Sequence, residues 1–314
     1  MKRRLTQASE RKHVPPCLKA FIIIISAALL SGCARPTSHI KAFSIASEEL
    51  ATQAMRGYEV LNETTVQRKI AEVAADLEQL PNEDTFVGLL EGNENLAVRM
   101  KALAYLRDYS ASLGDLSTAD VREDIDKASK DLYGALVGLR ATFEKEIGRD
   151  VGIRDDDLAI IGTAVDAIGA VIVEAKRRLA IKKIVINADP AVQMVSRLLE
   201  DEIPTFAVFV KANLSTIETE MVKSYQEKAE GLTFDQRVEY IQQIRKQHQI
   251  VRDTENFFGD IGTAAGMLGT SHAALRMAVE EDRFTTAALV EQIGELADLA
   301  KSLRRFYKGL IKDE

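Results

Sequence analysis

Between Pro36 and the C-terminus the chain meets three prolines, Pro81, Pro190 and Pro204. Proline removes a backbone donor and clashes with the preceding helical turn, so stretches this long without it can run as unbroken helix. The apolar residues are spaced to use that freedom. Val121, Ile125, Ala128, Leu132, Leu136, Leu139, Phe143 and Ile147 recur every third or fourth position, as do Leu289, Ile293, Leu296, Ala300, Leu303, Tyr307 and Leu310. Both are one-sided apolar stripes, the pattern of a helix packed on one face. Val66, Ile70, Val73, Leu77 and Leu80 repeat the pattern ahead of Pro81, and Leu96, Met100, Leu103, Ser110 and Leu113 follow it less cleanly.

Start and stop signals divide the stripes. Ser117-Thr118 with Asp120 reads as a helix cap, Asp155 to Asp157 place negative charge at a helix start, Asp189-Pro190 opens another helix, and Thr233-Phe234-Asp235-Gln236 has the form of a capping box. The expected helices cover Ser38 to Leu80, Asn93 to Leu113, Ala119 to Ile147, Asp155 to Asn187, Ala191 to Ala229, Phe234 to Asp282 and Thr285 to Lys312, with a kink at Pro204. At 1.5 Å per residue several of these exceed about 45 Å. The predicted fold class is therefore all-α, an elongated multi-helix bundle of long antiparallel helices. Ile181 to Ile186, rich in β-branched residues, is the one segment that also suits a strand.

Glycine adds a second pattern. Ile161-Gly162-Thr163-Ala164 with Gly169 recurs as Ile261-Gly262-Thr263-Ala264 with Gly269, and Gly259, Gly262, Gly266 and Gly269 line one helical face. Each glycine in a helix interior costs about 1 kcal/mol relative to alanine, so such a row calls for an offsetting contact. Close helix packing at Gly162, Gly169, Gly259, Gly262, Gly266 and Gly269 is the expectation; an inserting segment and a groove lined by bare backbone are the alternatives. Asp166 falls on the same face, in the otherwise apolar stretch from Leu158 to Val173, where a carboxylate needs donors or a proton. That stretch is too short and too polar for a confident membrane span.

Catalytic and metal signatures do not emerge. His39, His248 and His272 lack metal-ligand spacing, no nucleophile elbow or phosphate loop occurs, and Asp155-Asp156-Asp157 lacks the alternating oxygen ligands of a calcium loop. No cofactor is implied. Lys176-Arg177-Arg178 and Lys182-Lys183 read as a solvated helix face, with an acidic partner or phosphate as the alternative.

The N-terminus carries the most specific motif. Lys2, Arg3, Arg4, Arg11, Lys12 and Lys19 precede the apolar run Ala20 to Leu30, which ends at Leu30-Ser31-Gly32-Cys33. Eleven apolar residues fall short of the roughly twenty needed to span a bilayer, so the run suits an export signal and not a permanent anchor. The arrangement resembles a bacterial lipoprotein signal peptide with its lipobox. The resemblance implies cleavage before Cys33 and acylation of that cysteine, dividing the chain into a signal peptide (1–32), a lipid-anchored tether (33–37) and a helical bundle domain (38–314). Several acyl chains, at about 0.8 kcal/mol per buried methylene, would make the anchoring effectively permanent. Ala34, where an Asp would signal inner-membrane retention, implies an outer-membrane location facing the periplasm.

Such processing removes Cys17 with the leader and leaves Cys33 committed to lipid, so no thiol remains for a disulfide or for catalysis. The first 32 residues hold six of the 41 basic and one of the 48 acidic side chains, which leaves 35 against 47, a net charge of −12. An acidic body of that kind is repelled by nucleic acid. Two functions fit: a lipid-anchored envelope protein acting as a structural or protein-interaction module, with an envelope protein as partner, or a membrane-active helical protein whose Gly-rich helices insert. An enzyme is not expected.

Overall fold

The computed structural model describes residues 36–76, 78–91, 93–147, 170–283 and 286–311, with side chains described except at 36–37, 122, 146–147, 170–176 and 306–311. The chain divides between Arg35 and Pro36, and everything described belongs to the second unit, Pro36–Glu314. Among the described residues every regular element is helical. In chain order these are α1 (Pro36–Ala75), the single turn α2 (Glu83–Phe86), α3 (Glu94–Thr118), α4 (Arg122–Thr142) prolonged by a π turn (Phe143–Ile147), α5 (Ala170–Lys228), α6 (Phe234–Glu281) and α7 (Ala287–Ile311).

The all-α helical bundle is what the apolar periodicity predicts. α1 lies against α3, α5, α6 and α7, and buries Ile40, Phe43, Leu50, Ala54, Tyr58 and Leu61 among them. The stripe of α4 buries Ile125, Ala128, Leu132, Leu136, Leu139 and Phe143, and that of α7 buries Leu289, Ile293, Leu296, Ala300 and Leu303. Opposed pairs give the directions. Lys211 with Glu255 and Arg178 with Asp282 mark α5 and α6 as antiparallel, while Tyr58 with Glu202 and Thr65 with Asn213 show α1 and α5 running parallel.

Four boundaries differ from the sequence reading. α5 is one helix of 59 residues, about 88 Å at 1.5 Å per residue, and passes through both Pro190 and Pro204. No new helix starts at Asp189-Pro190. Both proline rings lie on the exposed face, while Ala188, Ala191, Val192, Leu199 and Ile203 line the buried one, so the apolar contacts offset the missing backbone bonds. Ile181, Ile184 and Val185 are buried in the same helix, at helical spacing.

Secondly, Ser117 and Thr118 do not cap α4. Their hydroxyls turn back to the Gly114 carbonyl (2.7 and 3.2 Å), which extends α3 to Thr118, and the N-cap of α4 is Val121, with no side-chain cap. Thirdly, α1 stops at Ala75, so Leu80 lies beyond it and is 81 % exposed. Leu80 precedes Pro81, which disfavours helical backbone there. The chain then folds back along α1: Lys69 Nζ donates to the Asp84 and Val87 carbonyls (2.9 Å each), and Asn62 Oδ1 accepts from the Leu90 N–H (2.8 Å). Lastly, α1 begins at Pro36, two residues inside the expected tether, with proline in the first turn where its lost donor costs least. The capping box at Thr233 is present as expected, with reciprocal bonds to Gln236 of 3.3 and 2.9 Å.

Candidate functional site

Polar side chains cross the bundle interior in layers. In the first, the His272 ring of α6 is fully buried, Nδ1 lying 2.9 Å from Asp189 Oδ1 on α5 and Nε2 lying 2.9 Å from the Tyr109 hydroxyl on α3. Nδ1–H donates to the carboxylate and the Tyr109 hydroxyl engages Nε2, so both ring nitrogens have partners. Asp189 also accepts from Gln193 Nε2 (3.2 Å) and pairs with Arg276 (3.3 Å). Burial pushes the Asp189 carboxyl up, but the hydrogen bond and electrostatic attraction of His272, with Gln193 and Arg276 behind them, prevail and hold it below the ordinary carboxylate range. Burial, reinforced by the charge of Asp189, drives the Tyr109 phenol far upward, so it stays protonated. Phe43 of α1 packs edge-on against the imidazole.

This Asp–His–Tyr chain has the connectivity of a proton relay, yet its imidazole and phenol are sealed from any solute. Its chemistry is therefore to join α3, α5 and α6 in one register. Sequence reasoning missed it, because the partners stand 83 and 163 residues apart and no local motif joins them.

A second layer centres on Glu202 of α5, which accepts from the Tyr58 hydroxyl of α1 (2.9 Å) and from the Arg99 guanidinium of α3. Burial and the Glu202 charge push the Tyr58 phenol upward. In the third, Asn213 of α5 bridges Thr65 and Arg68 of α1 (3.0 Å each).

The glycine row of α6 meets α5 over part of its length. A Cβ on Gly269 would lie 2.7 Å from Ser196 Oγ and 2.9 Å from Gln193 Oε1, and one on Gly266 would collide with the Glu200 carboxylate. Ser196 Oγ and Gln193 Nε2 donate to the Ala265 and Gly269 carbonyls (2.7 Å each), so the missing side chains let α5 bond to exposed backbone of α6. Gly262 would make an ordinary contact with Ile203 (3.7 Å). Gly259 corrects the expectation: it is exposed and a Cβ there meets open space, because the row drifts off the contact face. Gly162, Gly169, Asp166, the Asp155–Asp157 run and Cys33 lie outside the described residues.

Three members of the basic cluster, Arg177, Arg178 and Lys182, are spent on helix ends. Arg177 donates to the Ala119 carbonyl that closes α3 (2.7 Å), Lys182 donates to the Glu280 carbonyl at the end of α6 (2.7 Å), and Arg178 pairs with Asp282 (2.9 Å), the left-handed cap of α6 at φ 55°. Cations are favoured there by the helix dipole. His248 pairs with Glu218 across α5 and α6 (3.0 Å). Among the described residues no group of three or more His, Cys, Asp or Glu side chains is placed to hold a metal ion. No helix among them is long and apolar enough to cross a membrane.

Beyond Leu214 the character of the molecule changes. Leu214 is the last buried residue of α5 and Val251 the first of α6; from 215 to 250 every residue is exposed or half-buried. The two helices form an antiparallel hairpin there, joined through Glu218–His248, Ser224–Tyr240 (3.0 Å) and the mutually tilted rings of Tyr225 and Tyr240. Phe234, Val238 and Ile241 form an exposed apolar stripe on α6, Phe234 being 72 % exposed. Where α1 ends beside this hairpin, a groove of about 770 Å³ opens between Ala71–Asp76 and the α5 face running from Ile217 to Lys228. Comparison with known proteins finds no matching family, no matching curated protein and no matching solved structure.

Proposed function

We propose that this chain is a lipid-anchored envelope protein working as a protein-interaction module, held to the outer membrane through Cys33 and engaging its partner with the α5–α6 hairpin. The observation that carries the reading is the hairpin itself. Two helices extend through residues 215–250 without a fully buried residue, yet present large apolar residues such as Phe234 and Ile241 to solvent. Folding of the body gains little from such an arm, whereas exposed apolar stripes on helices are what partner proteins bind. The Leu30-Ser31-Gly32-Cys33 motif supports the anchoring half of the reading. The alternative of inserting helices draws no support from the described residues, where Gly266 and Gly269 are occupied by α5.

The test is in-cell photocrosslinking from a reactive amino acid placed at Phe234. A discrete crosslinked partner, lost when Cys33→Ser abolishes lipid labelling, is the expected result. Absence of any adduct from Phe234 and from Ile241 overturns the module, and palmitate incorporation that survives Cys33→Ser overturns the anchor.

A further inference from the structure

From the groove at the root of the hairpin we infer a docking site for a basic amphipathic helix of the partner protein, an inference that rests on the interaction-module reading and names the partner's chemistry. The floor is apolar and shallow: Ala71 and Ala75 on α1 face Ile217 and Met221 on α5. Small side chains on one wall leave room for those of an incoming helix, and α5 presents a straight strip of residues every third or fourth position along the other.

Charge selects the occupant. The rim carries Glu72, Asp76, Glu220 and Glu227 against Lys223 and Lys228. Lys223 is already engaged by Glu220 (2.6 Å), Glu72 by Arg68, and Asp76 Oδ1 by the Glu78 N–H (3.0 Å), so the rim keeps an acidic excess of four carboxylates over two lysines, with Glu227 the carboxylate that no neighbour engages. The C-terminus of α1 opens here as well, with no basic residue in its last turn, so the negative end of that helix adds to the acidic rim. An apolar strip flanked by lysine or arginine complements this surface; an acidic helix and an anionic bilayer are both repelled by it.

The experiment uses the full-length chain and a fluorescein-labelled Leu/Lys peptide of about eighteen residues with helical periodicity, about five turns. Fluorescence anisotropy at physiological salt should show saturable binding, with none for the same peptide carrying Glu in place of Lys. The double variant Glu220→Lys/Glu227→Lys and the groove-filling variant Ala75→Trp should each weaken it by about tenfold or more, while the remote reversal Glu281→Lys/Asp298→Lys changes it by less than about twofold. Ala75, Glu227, Glu281 and Asp298 are exposed and Glu220 is half-buried, and far-UV circular dichroism confirms that each variant is folded. Equal weakening by the remote reversal, full binding by Ala75→Trp, preferential binding to phosphatidylglycerol vesicles, or no peptide binding at all overturns the proposal. Partner crosslinks that persist from Phe234 while the groove variants bind normally would sink the groove and leave the interaction-module reading standing.

Discussion

A histidine enclosed by apolar helices survives in the native state because both of its ring nitrogens have partners, and His272 meets that condition through Asp189 and Tyr109. Tyr109→Phe strands Nε2 in a site that water cannot enter, so the urea midpoint should shift by the equivalent of about 1–3 kcal/mol, the usual cost of a buried orphan. Asp189 also makes stability depend on pH. Its native value lies below the ordinary 3.8, so its contribution is complete above that value and is lost as the pH falls through the lower native one. Asp189→Asn should lower stability at neutral pH, and the gap to the parent protein should close in that acid window, read from urea midpoints against pH. Neither residue could be recognised from the sequence, where Asp189 looks like a helix opener before Pro190 and His272 has no neighbour of interest. The glycine row was legible as a row, but which of its members touch α5 depends on a crossing geometry that spacing does not encode. Gly269→Ala should therefore destabilise the fold, since Ser196 Oγ and Gln193 Oε1 stand within 3 Å of the new methyl group. Gly259→Ala should stabilise it by about 0.5–1 kcal/mol, because its Cβ enters open space and alanine costs less entropy in a helix. Equal thermal shifts for the two would contradict this division.

At the level of elements, the signals that could be read were those contained within one helix. The stripes of α4 and α7 and the box at Thr233 are local patterns, and the structure follows them. The misreadings occur where a local rule competes with another contact open to the same residues. Ser117 and Thr118 are good capping residues, but the Gly114 carbonyl lies within their reach and α3 keeps them. Pro190 and Pro204 are good breakers, but Val192, Val195, Leu199 and Ile203 are buried against the bundle and the helix continues through both rings. If that account is right, the prolines are tolerated and not required. Pro204→Ala removes an exposed ring, restores an N–H to the helix, and should raise thermal stability by up to about 3 kcal/mol on the helix-propensity scale. A fall in the melting temperature, followed by circular dichroism, would mean instead that the chain needs a bend at that point.

For the second unit as a whole, the distribution of buried surface separates a body from an arm. Tyr109, Asp189 and His272 tie three helices of the body together, while the apolar residues enclosed by α1, α3, α5, α6 and α7 supply its cohesion. The hairpin beyond Leu214 and Val251 adds no fully buried residue to that core, only Ile217 and Ile250 packing against its edge, and farther out the two helices are joined to each other. Hydrophobic stabilisation scales with apolar area removed from water, so most of the folding free energy resides in the body. Replacing residues 219–246 by a short glycine-containing turn joins α5 to α6 just past the Lys211–Glu255 pair and the Gln247 bond to the Leu214 carbonyl, where the helices already lie side by side. The shortened protein should unfold in one cooperative transition, with a melting temperature within a few degrees of the parent, because nothing buried has been removed. It should at the same time fail to co-purify the partner that the parent protein retains after treatment of cells with a soluble chemical crosslinker. A shortened chain that fails to fold would place the arm among the elements that stabilise the body; one that folds and still captures the partner would move the interaction surface onto the body itself.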